Sequence, residues 1–254
     1  MAERVLIFGA TSAIAQEIAH VYARRGARLY LVGRSQEKLT ALADALAGDP
    51  AGARNPVVGT DTADLNETAR SATLVATGIA ALGGVDVALV AHGLLGDQQA
   101  TEHDFHKAEE TIATNFTSVI ALLIPLANHL ESSGAGHIAV LSSVAGERGR
   151  PRNYTYGAAK GALNVYLQGL RSRLGARGVG VHTIKLGPVD TPMTASHKKT
   201  LLFARAPRVA TEIVRAIDAG QGEAFVPWFW RGIMFIVRAL PEWFFRRIRA
   251  LSGR

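Results

Sequence analysis

The chain has 254 residues, 48% of them hydrophobic, and a formal net charge of +7. This length suits one large α/β domain, and the composition excludes a disordered chain. The absence of cysteine excludes disulfide and thiolate chemistry and is typical of a reducing compartment, so we expect a cytoplasmic protein. No basic and apolar leader precedes the first strand, and no uncharged apolar stretch is long enough to span a bilayer. We therefore predict neither a signal peptide nor a conventional spanning helix.

The N-terminal segment has the pattern of a nucleotide site. Residues 5–8 form a predicted buried strand, followed by a glycine turn and a helix that ends near residue 25. Free N–H groups and the helix dipole at such a turn suit a pyrophosphate, although a plain βα turn would give the same pattern. Hydroxyl groups here can cap the helix and contact phosphate. The predicted contacts are Gly9, Thr11, Ser12, Ala13 and Ile14.

The second predicted strand, residues 28–32, indicates which nucleotide binds. A cofactor without a 2′-phosphate is usually held by an acidic residue after this strand. No acidic residue occurs between Arg28 and Gln36. Arg34 instead offers a cation to a 2′-phosphate, with Ser35 as a second donor. We therefore predict NADP(H). The alternative is that Arg34 is a solvated loop residue.

The chain centres on a serine, a tyrosine and a lysine. Residues 137–141 form a predicted strand, which places Ser143 at an active-site edge. Tyr156 and Lys160 are four residues apart on a predicted helix and therefore share a face. We expect the Lys160 ammonium to lower the pKa of the Tyr156 phenol and make it an efficient acid. This arrangement indicates an oxidoreductase, and we predict no metal site.

These residues resemble the short-chain dehydrogenases/reductases over nearly the whole chain. The resemblance implies that Ser143 positions the substrate oxygen, that Tyr156 transfers the proton, and that Lys160 also holds the nicotinamide ribose. Asn115, in the helix predicted near residues 104–131, resembles the asparagine whose local helix distortion binds a relay water. The resemblance further implies cofactor contacts from Asp61, Gly93, Gly187, Val189 and Thr191.

Several positions depart from the family patterns. Ala13 and Ala15 replace glycines of TGxxxGxG, and Ala13 places a methyl group where the cofactor should approach. Ala91 and His92 replace residues of NNAG, and we interpret His92 as a structural residue, with the nicotinamide ribose as its alternative partner. Leu186 replaces the proline of PGxVxT.

The predicted fold is a single Rossmann-like, doubly wound α/β domain with a parallel seven-stranded sheet flanked by helices. The domain covers residues 1–227. Further strands are predicted at 56–59, 85–90, 179–185 and 223–226, and residues 192–206 are interpreted as a mobile substrate lid that includes His197, Lys198 and Lys199. A homo-oligomer is the family expectation.

Residues 228–254 form a predicted amphipathic extension rich in aromatic residues and arginine. Six arginines and one glutamate give this segment a charge of +5, so the rest of the chain is close to neutral and a nucleic-acid-binding function is disfavoured. Two short helices here suit a membrane surface, with a subunit interface or substrate lid as alternatives. The loop that contains Arg148, Arg150 and Arg152 is predicted to border the active-site mouth and bind phosphate, or else to be solvated.

Within the family, the chain looks most like the decaprenylphosphoryl-2-keto-pentose reductases of cell-wall synthesis. The pieces that carry this resemblance are residues 92–97, 142–148, 156–160 and the aromatic tail. It implies an NADPH-dependent reduction of the 2-keto group of a lipid-linked sugar, after oxidation by a separate flavoenzyme. The alternatives are a reductase of another apolar ketone, acyl-chain or sphingoid-like, and a non-catalytic NADP(H)-binding regulatory protein.

Overall fold

The computed structural model describes residues 2–195 and 199–248. The predicted His197 and Lys198 of the lid therefore lie outside the described residues. The strands are β1 (Arg4–Phe8), β2 (Arg28–Gly33), β3 (Val57–Thr62), β4 (Val87–Val90), β5 (His137–Ser143), β6 (Gly180–Leu186), β7 (Val189–Asp190), β8 (Ala204–Arg205) and β9 (Glu223–Val226). Seven of them form one parallel sheet in the order β3-β2-β1-β4-β5-β6-β9, which confirms the predicted fold class.

Helices cover both faces of this sheet. They are α1 (Ala13–Arg24), α2 (Gln36–Ala47), α3 (Ser71–Leu82), α4 (Gln98–His103), α5 (Phe105–Ile112), α6 (Ser118–Ser133), α7 (Tyr154–Gly175), α8 (Ala206–Asp218), α9 (Trp230–Ala239) and α10 (Glu242–Phe245). Successive strand side chains point to opposite faces, so Val5 and Ile7 pack with α1, α2 and α8, while Leu6 and Phe8 pack with α3, α6 and α7. Continuous apolar strands of this kind are typical of a parallel sheet buried on both faces.

One composite helix crosses the second face. α5 and α6 are joined by a π turn, Ala113–Thr117, and together they form a helix of 29 residues, Phe105–Ser133. By length and composition alone this helix could span a bilayer. Its apolar residues Leu122, Leu126 and Leu130 are fully buried in the sheet-packing core, which accounts for its composition.

The order of the strands also creates a crevice. The chain moves outward from β1 to β3 and then returns to place β4 on the other side of β1. Ligands of open α/β sheets bind at the carboxyl ends of the strands where the order reverses in this way. Gly9 follows β1 and His92 follows β4, so both lie at this point of the sheet.

Helix α9 packs against the edge strand β9 and the 3-10 turn that follows β5, and α10 adds Phe245 to the same cluster. Their buried residues Trp230, Met234, Val237 and Phe245 form an apolar cluster with Val144, the residue after Ser143. The tail therefore contacts the loop that carries the predicted catalytic serine.

Candidate active site

Helix α7 places Tyr156 and Lys160 on one face beneath the carboxyl end of β5. The Lys160 side chain is buried, and its ammonium donates a hydrogen bond to the Leu141 carbonyl at 2.9 Å. The same Nζ lies 5.9 Å from the centre of the Tyr156 ring. Tyr156 and Lys160 therefore lie close together in the structure, as their spacing of four residues on a helix predicts.

Ser143 is the last residue of β5 and begins the turn that leads toward α7. Its hydroxyl accepts a hydrogen bond from the Ala145 amide at 3.1 Å, which caps the 3-10 turn Val144–Glu147. The hydroxyl also lies near the Tyr156 phenol, and this proximity lowers the pKa of the phenol. A carbonyl oxygen between these two hydroxyls would accept a hydrogen bond from each.

Burial controls the protonation of this pair, and it corrects one expectation from the sequence. Burial raises the pKa of Tyr156 to about 12, although the Ser143 contact works in the opposite direction. Burial also lowers the pKa of Lys160 to about 8. The Tyr156 pKa therefore lies above its ordinary value in this structure, and the expected net lowering is wrong, because removal from water dominates and the ammonium points to the Leu141 carbonyl.

Asn115 occupies the π turn between α5 and α6, so the predicted helix distortion is present at this residue. The Asn115 amide donates to the carbonyls of Leu94 (2.6 Å) and Thr111 (2.8 Å), and its oxygen accepts from the Leu94 amide at 3.2 Å. A side-chain amide that uses both ends in this way ties the composite helix to the loop after β4.

Gly93 lies between Asn115 and Lys160. A Cβ atom at this position would stand 2.9 Å from the Asn115 oxygen and 3.7 Å from the Lys160 Nζ. Only glycine leaves room for this approach without displacing the asparagine. Gly93, Asn115 and Lys160 therefore lie side by side, although up to 67 positions separate them in the chain.

The glycine turn after β1 has the conformation that a phosphate site needs. Gly9 has a φ of +76°, and a Cβ there would lie 2.6 Å from the His92 backbone nitrogen. Ser12 is the N-cap of α1, and its hydroxyl accepts from the Ala15 amide at 3.3 Å. Thr11, Ala13 and Ile14 are half-buried at the first turn of the helix, where free N–H groups meet an anion.

The alanines that replace family glycines differ in their surroundings. Ala15 is fully buried against the core, so its methyl group contributes to helix packing. Ala13 is half-buried at the first helical position and borders the crevice. The backbone donors, the left-handed Gly9 and the helix N-terminus fit the diphosphate of a nicotinamide nucleotide, and Ala13 narrows the approach by one methyl group.

Arg34 follows β2 at the same edge of the sheet. Its side chain is exposed and has no salt-bridge partner among the described residues. Ser35 caps α2 by accepting from the Lys38 amide at 3.3 Å. Asp61 lies in β3, two strands from β1, and its carboxylate is 3.8 Å from the Arg70 guanidinium. An unpaired guanidinium beside the helix N-terminus is available to an added phosphate.

His92 is held by the protein rather than left open to the crevice. Its Nε2 is 2.9 Å from the Ser118 hydroxyl, an arrangement that agrees with the structural interpretation. Burial lowers the pKa of His92 to about 3, with the Lys160 charge as the next contribution. The imidazole is therefore neutral, and its Nδ1 is buried without a partner in the described structure.

The loop after β6 contains the remaining predicted cofactor contacts. Gly187 and Val189 are buried, and Thr191 begins a 3-10 turn, Pro192–Thr194. A Cβ at Gly187 would clash with the Trp230 indole, so only glycine lets α9 pack against this loop. Lys199 contacts Asp190 at 2.6 Å.

Arg148 differs from the prediction that the arginines of this loop border the mouth. The Arg148 guanidinium donates to the carbonyls of Val237 (2.5 Å) and Leu240 (2.6 Å) and pairs with Glu242 at 2.9 Å. Arg148 therefore fixes the C-terminal tail and is not available to a substrate phosphate. The prediction failed because the end of α9 presents unsatisfied carbonyls that a nearby guanidinium can reach.

Arg150 and Arg152 have different environments. Arg150 is half-buried, contacts the Met234 sulfur at 3.6 Å, and has its pKa lowered by burial. Arg152 is exposed. An open depression of about 590 Å³ contains Arg150 and the first residue of α7, Tyr154, but none of Ser143, Tyr156 and Lys160 lines it.

A buried network of charged residues lies next to Ser143 and was not predicted from the sequence. Glu147 lies 2.7 Å from Lys185 of β6, and both side chains are nearly inaccessible, at 5% and 3% exposed. The Glu147 carboxylate also accepts from Asn164 at 3.2 Å, and Asn164 accepts from the Ser142 hydroxyl at 2.5 Å. A lysine inside the apolar strand at residues 179–185 was the available signal, because a buried cation needs a nearby acid.

The sheet, the glycine turn and the Ser143, Tyr156 and Lys160 arrangement define an oxidoreductase that uses a nicotinamide nucleotide. The family model for short chain dehydrogenases matches residues 3–202. Across 244 residues the chain is 34% identical to an uncharacterised oxidoreductase of Mycobacterium tuberculosis, covering 96% of each protein. The chain therefore belongs to the short-chain dehydrogenase family.

Two further comparisons extend this result. An uncharacterised oxidoreductase of Streptomyces coelicolor is 33% identical over 245 residues, covering 96% of this chain and 95% of that protein. The crystal structure of an actinorhodin polyketide ketoreductase with NADPH superposes with a TM-score of 0.78 and 23% identity, covering 88% of this chain and 95% of the other. At this identity the superposition shows the shared fold.

Proposed function

We propose that the protein is an NADPH-dependent reductase that converts a ketone to a secondary alcohol. The observation that carries this proposal is the Tyr156 phenol near the Ser143 hydroxyl, with the Lys160 Nζ 5.9 Å from the centre of its ring. The phenol is protonated at neutral pH, which is the form that reduction of a carbonyl requires.

The chain's own residues supply the proton chemistry. A bound nicotinamide nucleotide supplies hydride to the carbonyl carbon. The Ser143 hydroxyl hydrogen-bonds to the carbonyl oxygen and holds it near the phenol, while Tyr156 transfers its proton to that oxygen as negative charge develops. Lys160, charged below its pKa of about 8, stabilises the resulting phenolate.

Asn115 has a supporting role in this proposal. Its side chain holds the π turn and the loop at Leu94, and a Cβ at the intervening Gly93 would approach both Asn115 and Lys160. A helix distorted in this way frees a backbone carbonyl that can bind water. We propose that such a water returns a proton to Tyr156 through Lys160.

The choice of NADPH rests on Arg34. This exposed guanidinium follows β2 where an acidic residue would select a nucleotide without the 2′-phosphate. The NADPH carried by the actinorhodin ketoreductase structure supports the same choice.

The preferred substrate class is a lipid-linked 2-keto sugar, by resemblance to the reductases that act after a flavoenzyme oxidises the sugar. Oxidation of the C2 alcohol followed by reduction from the other side gives net epimerisation. The second candidate is a reductase of another apolar ketone, of the acyl-chain or sphingoid type. An NADP(H)-binding regulatory protein without turnover is favoured only by Ala13 and Ala91, which depart from the family glycine and asparagine patterns.

Nucleotide binding separates these proposals from a protein that binds no cofactor. Purified protein titrated with NADPH and NADH, followed by nicotinamide fluorescence, should bind NADPH more tightly. Arg34→Ala should weaken NADPH binding by about tenfold or more and leave NADH unaffected, since one charge-assisted contact contributes roughly 1.5–3 kcal/mol. The control is Arg54→Ala, which removes an exposed arginine from the opposite end of the sheet.

Turnover separates an enzyme from a binding protein. A short-chain prenyl-phosphoryl 2-keto sugar and the same sugar without its lipid are offered with NADPH. Tyr156→Phe should lower kcat by about 10²–10⁴-fold with nucleotide affinity retained. Nucleotide binding without any turnover of either ketone would favour the regulatory protein, and equal turnover of both would remove the lipid-linked substrate class.

A further inference from the structure

The C-terminal tail exposes five large apolar side chains to solvent. Phe235 is 76% exposed, Trp228 is 74% exposed and Trp243 is 63% exposed. Ile236 and Phe244 are also exposed. We call these five residues the tail face. Isolated exposed apolar residues are ordinary, but five within 17 positions are an unusual concentration for a water-facing surface.

The orientation of α9 is fixed by its other side. Trp230, Met234 and Val237 recur at the spacing of one helical face, and all three are buried in the cluster that contains Val144. Arg148 holds the end of α9 through the Val237 and Leu240 carbonyls. The tail face therefore cannot turn inward without breaking the contacts that hold the catalytic loop.

The outward side of α9 carries large apolar side chains as well as charged ones. Its exposed residues include Phe235, Ile236 and Ala239, together with two arginines. A helix with large apolar side chains on its solvent side as well as its core side is expected to have a second covering surface.

Cations accompany the tail face along the chain. Arg231, Arg246 and Arg247 are exposed, and the Arg247 guanidinium lies 5.6 Å from the centre of the Trp243 ring. Arg238 is also exposed and pairs with Glu147 at 3.3 Å. The one acid of this segment, Glu242, is paired with Arg148 of the catalytic loop. The described part of the tail therefore combines exposed apolar side chains with a net positive charge.

The positive charge beside the tail face favours one of two binding partners, a second copy of the chain or a lipid membrane. A second copy of the chain in a twofold interface would bring two net-positive surfaces together, which is unfavourable without intervening acids. An anionic bilayer accepts aromatic side chains at its interface and guanidinium groups at its headgroups. We propose that the tail face docks the protein on the surface of an anionic lipid membrane.

This docking would place the active site close to the lipid. The inner side of the tail touches Val144, which follows Ser143, and Trp230 packs on Gly187 of the predicted nicotinamide loop. The same two helices thus separate the lipid surface from the catalytic loop. The surface does not depend on the proposed reductase activity, and its binding is measured without turnover.

The experiment uses the full chain and vesicles of phosphatidylcholine with or without about 30% phosphatidylglycerol. All three tryptophans of the chain lie at residues 228, 230 and 243, so intrinsic fluorescence reports the tail alone. We expect flotation with the anionic vesicles, a blue shift of the emission, and loss of binding at high salt.

Matched substitutions test the surface itself. Phe235→Ser should weaken binding to anionic vesicles by about tenfold or more, since interfacial burial of one phenylalanine is lost. Phe105→Ser removes a phenylalanine that is 73% exposed on α5 and should leave binding unchanged. Arg231→Ala should weaken binding to the anionic vesicles in particular.

Two results would overturn the proposal. The first is the absence of binding to either vesicle by the wild-type chain. The second is an equal loss of binding in Phe235→Ser and Phe105→Ser. If the wild type fails to bind vesicles while light scattering shows a dimer that Phe235→Ser dissociates, the occupant is a second copy. Retained NADPH affinity in each variant shows that the fold is intact.

Discussion

Glu147 is the residue whose replacement tests the structure most directly. Glu147 is the last residue of the 3-10 turn that begins after Ser143. Its carboxylate contacts Lys185 at 2.7 Å, Asn164 at 3.2 Å and Arg238 at 3.3 Å. Glu147→Gln keeps the shape of the side chain and removes its charge. Lys185 then retains only Glu223, at 2.8 Å, as an anionic partner.

The expected loss of stability follows from this geometry. Removing one partner of a buried ion pair costs about 3–5 kcal/mol because an uncompensated charge stays behind. Glu223 is 33% exposed and still neutralises part of the Lys185 charge, so we expect about 3 kcal/mol. For a chain of this size that corresponds to a fall in Tm of roughly 6–12 °C. The loosened turn should also lower kcat for ketone reduction by about tenfold.

The assay compares Glu147→Gln with Glu131→Gln in thermal and urea unfolding. Glu131 belongs to a surface pair with Arg173, and its loss should cost less than about 1 kcal/mol. Equal losses in the two variants would refute the reasoning, since they would show that burial adds nothing to the Glu147 interactions. Unchanged kcat in a destabilised Glu147→Gln protein would remove its role in positioning the Ser143 loop.

Three further predictions concern protonation and the tail. Reduction should slow as pH rises through about 8, because Lys160 loses the charge that stabilises the phenolate; a flat kcat/KM profile from pH 7 to about 9.5 would contradict this. The free energy of unfolding should fall as pH drops below about 6.5, by up to about 1.4 kcal/mol per pH unit. The reason is that His92 becomes protonated in the unfolded chain but stays neutral in the folded one, where its pKa is about 3. His92→Gln should flatten this slope in urea titrations at pH 7.5 and 5. Arg148→Ala should release the Val237 and Leu240 carbonyls and make the tail sensitive to limited proteolysis, whereas protection equal to wild type would show that apolar packing alone holds it.

Features with a local or periodic cause could be predicted from the sequence. The parallel sheet follows from short apolar strands that alternate with helices, and the pairing of Tyr156 with Lys160 follows from helical spacing. The glycine turn at Gly9 follows from the need for a left-handed residue between strand and helix. The family resemblance added Asn115, whose π turn no periodicity in the sequence indicates.

Features that depend on long-range packing could not be predicted. Arg148 contacts a helix end about 90 positions away, so its loop gave no sign that it would be used internally. The direction of the Tyr156 pKa shift depends on how much water is excluded around the phenol, which spacing alone does not reveal. The partnership of His92 with Ser118 needs the approach of α6 to the loop after β4.

The packing of Trp230 on Gly187 has a consequence for how the chain is synthesised. Ser143, Tyr156 and Lys160 all leave the ribosome before the residues that complete the apolar cluster around Val144. Until α9 emerges, the indole that covers Gly187 is missing and this end of the sheet faces water. In a nascent chain that ends before residue 230, we therefore expect the nucleotide-binding half of the domain to fold first. The catalytic loop should become ordered only when the last helices have been synthesised.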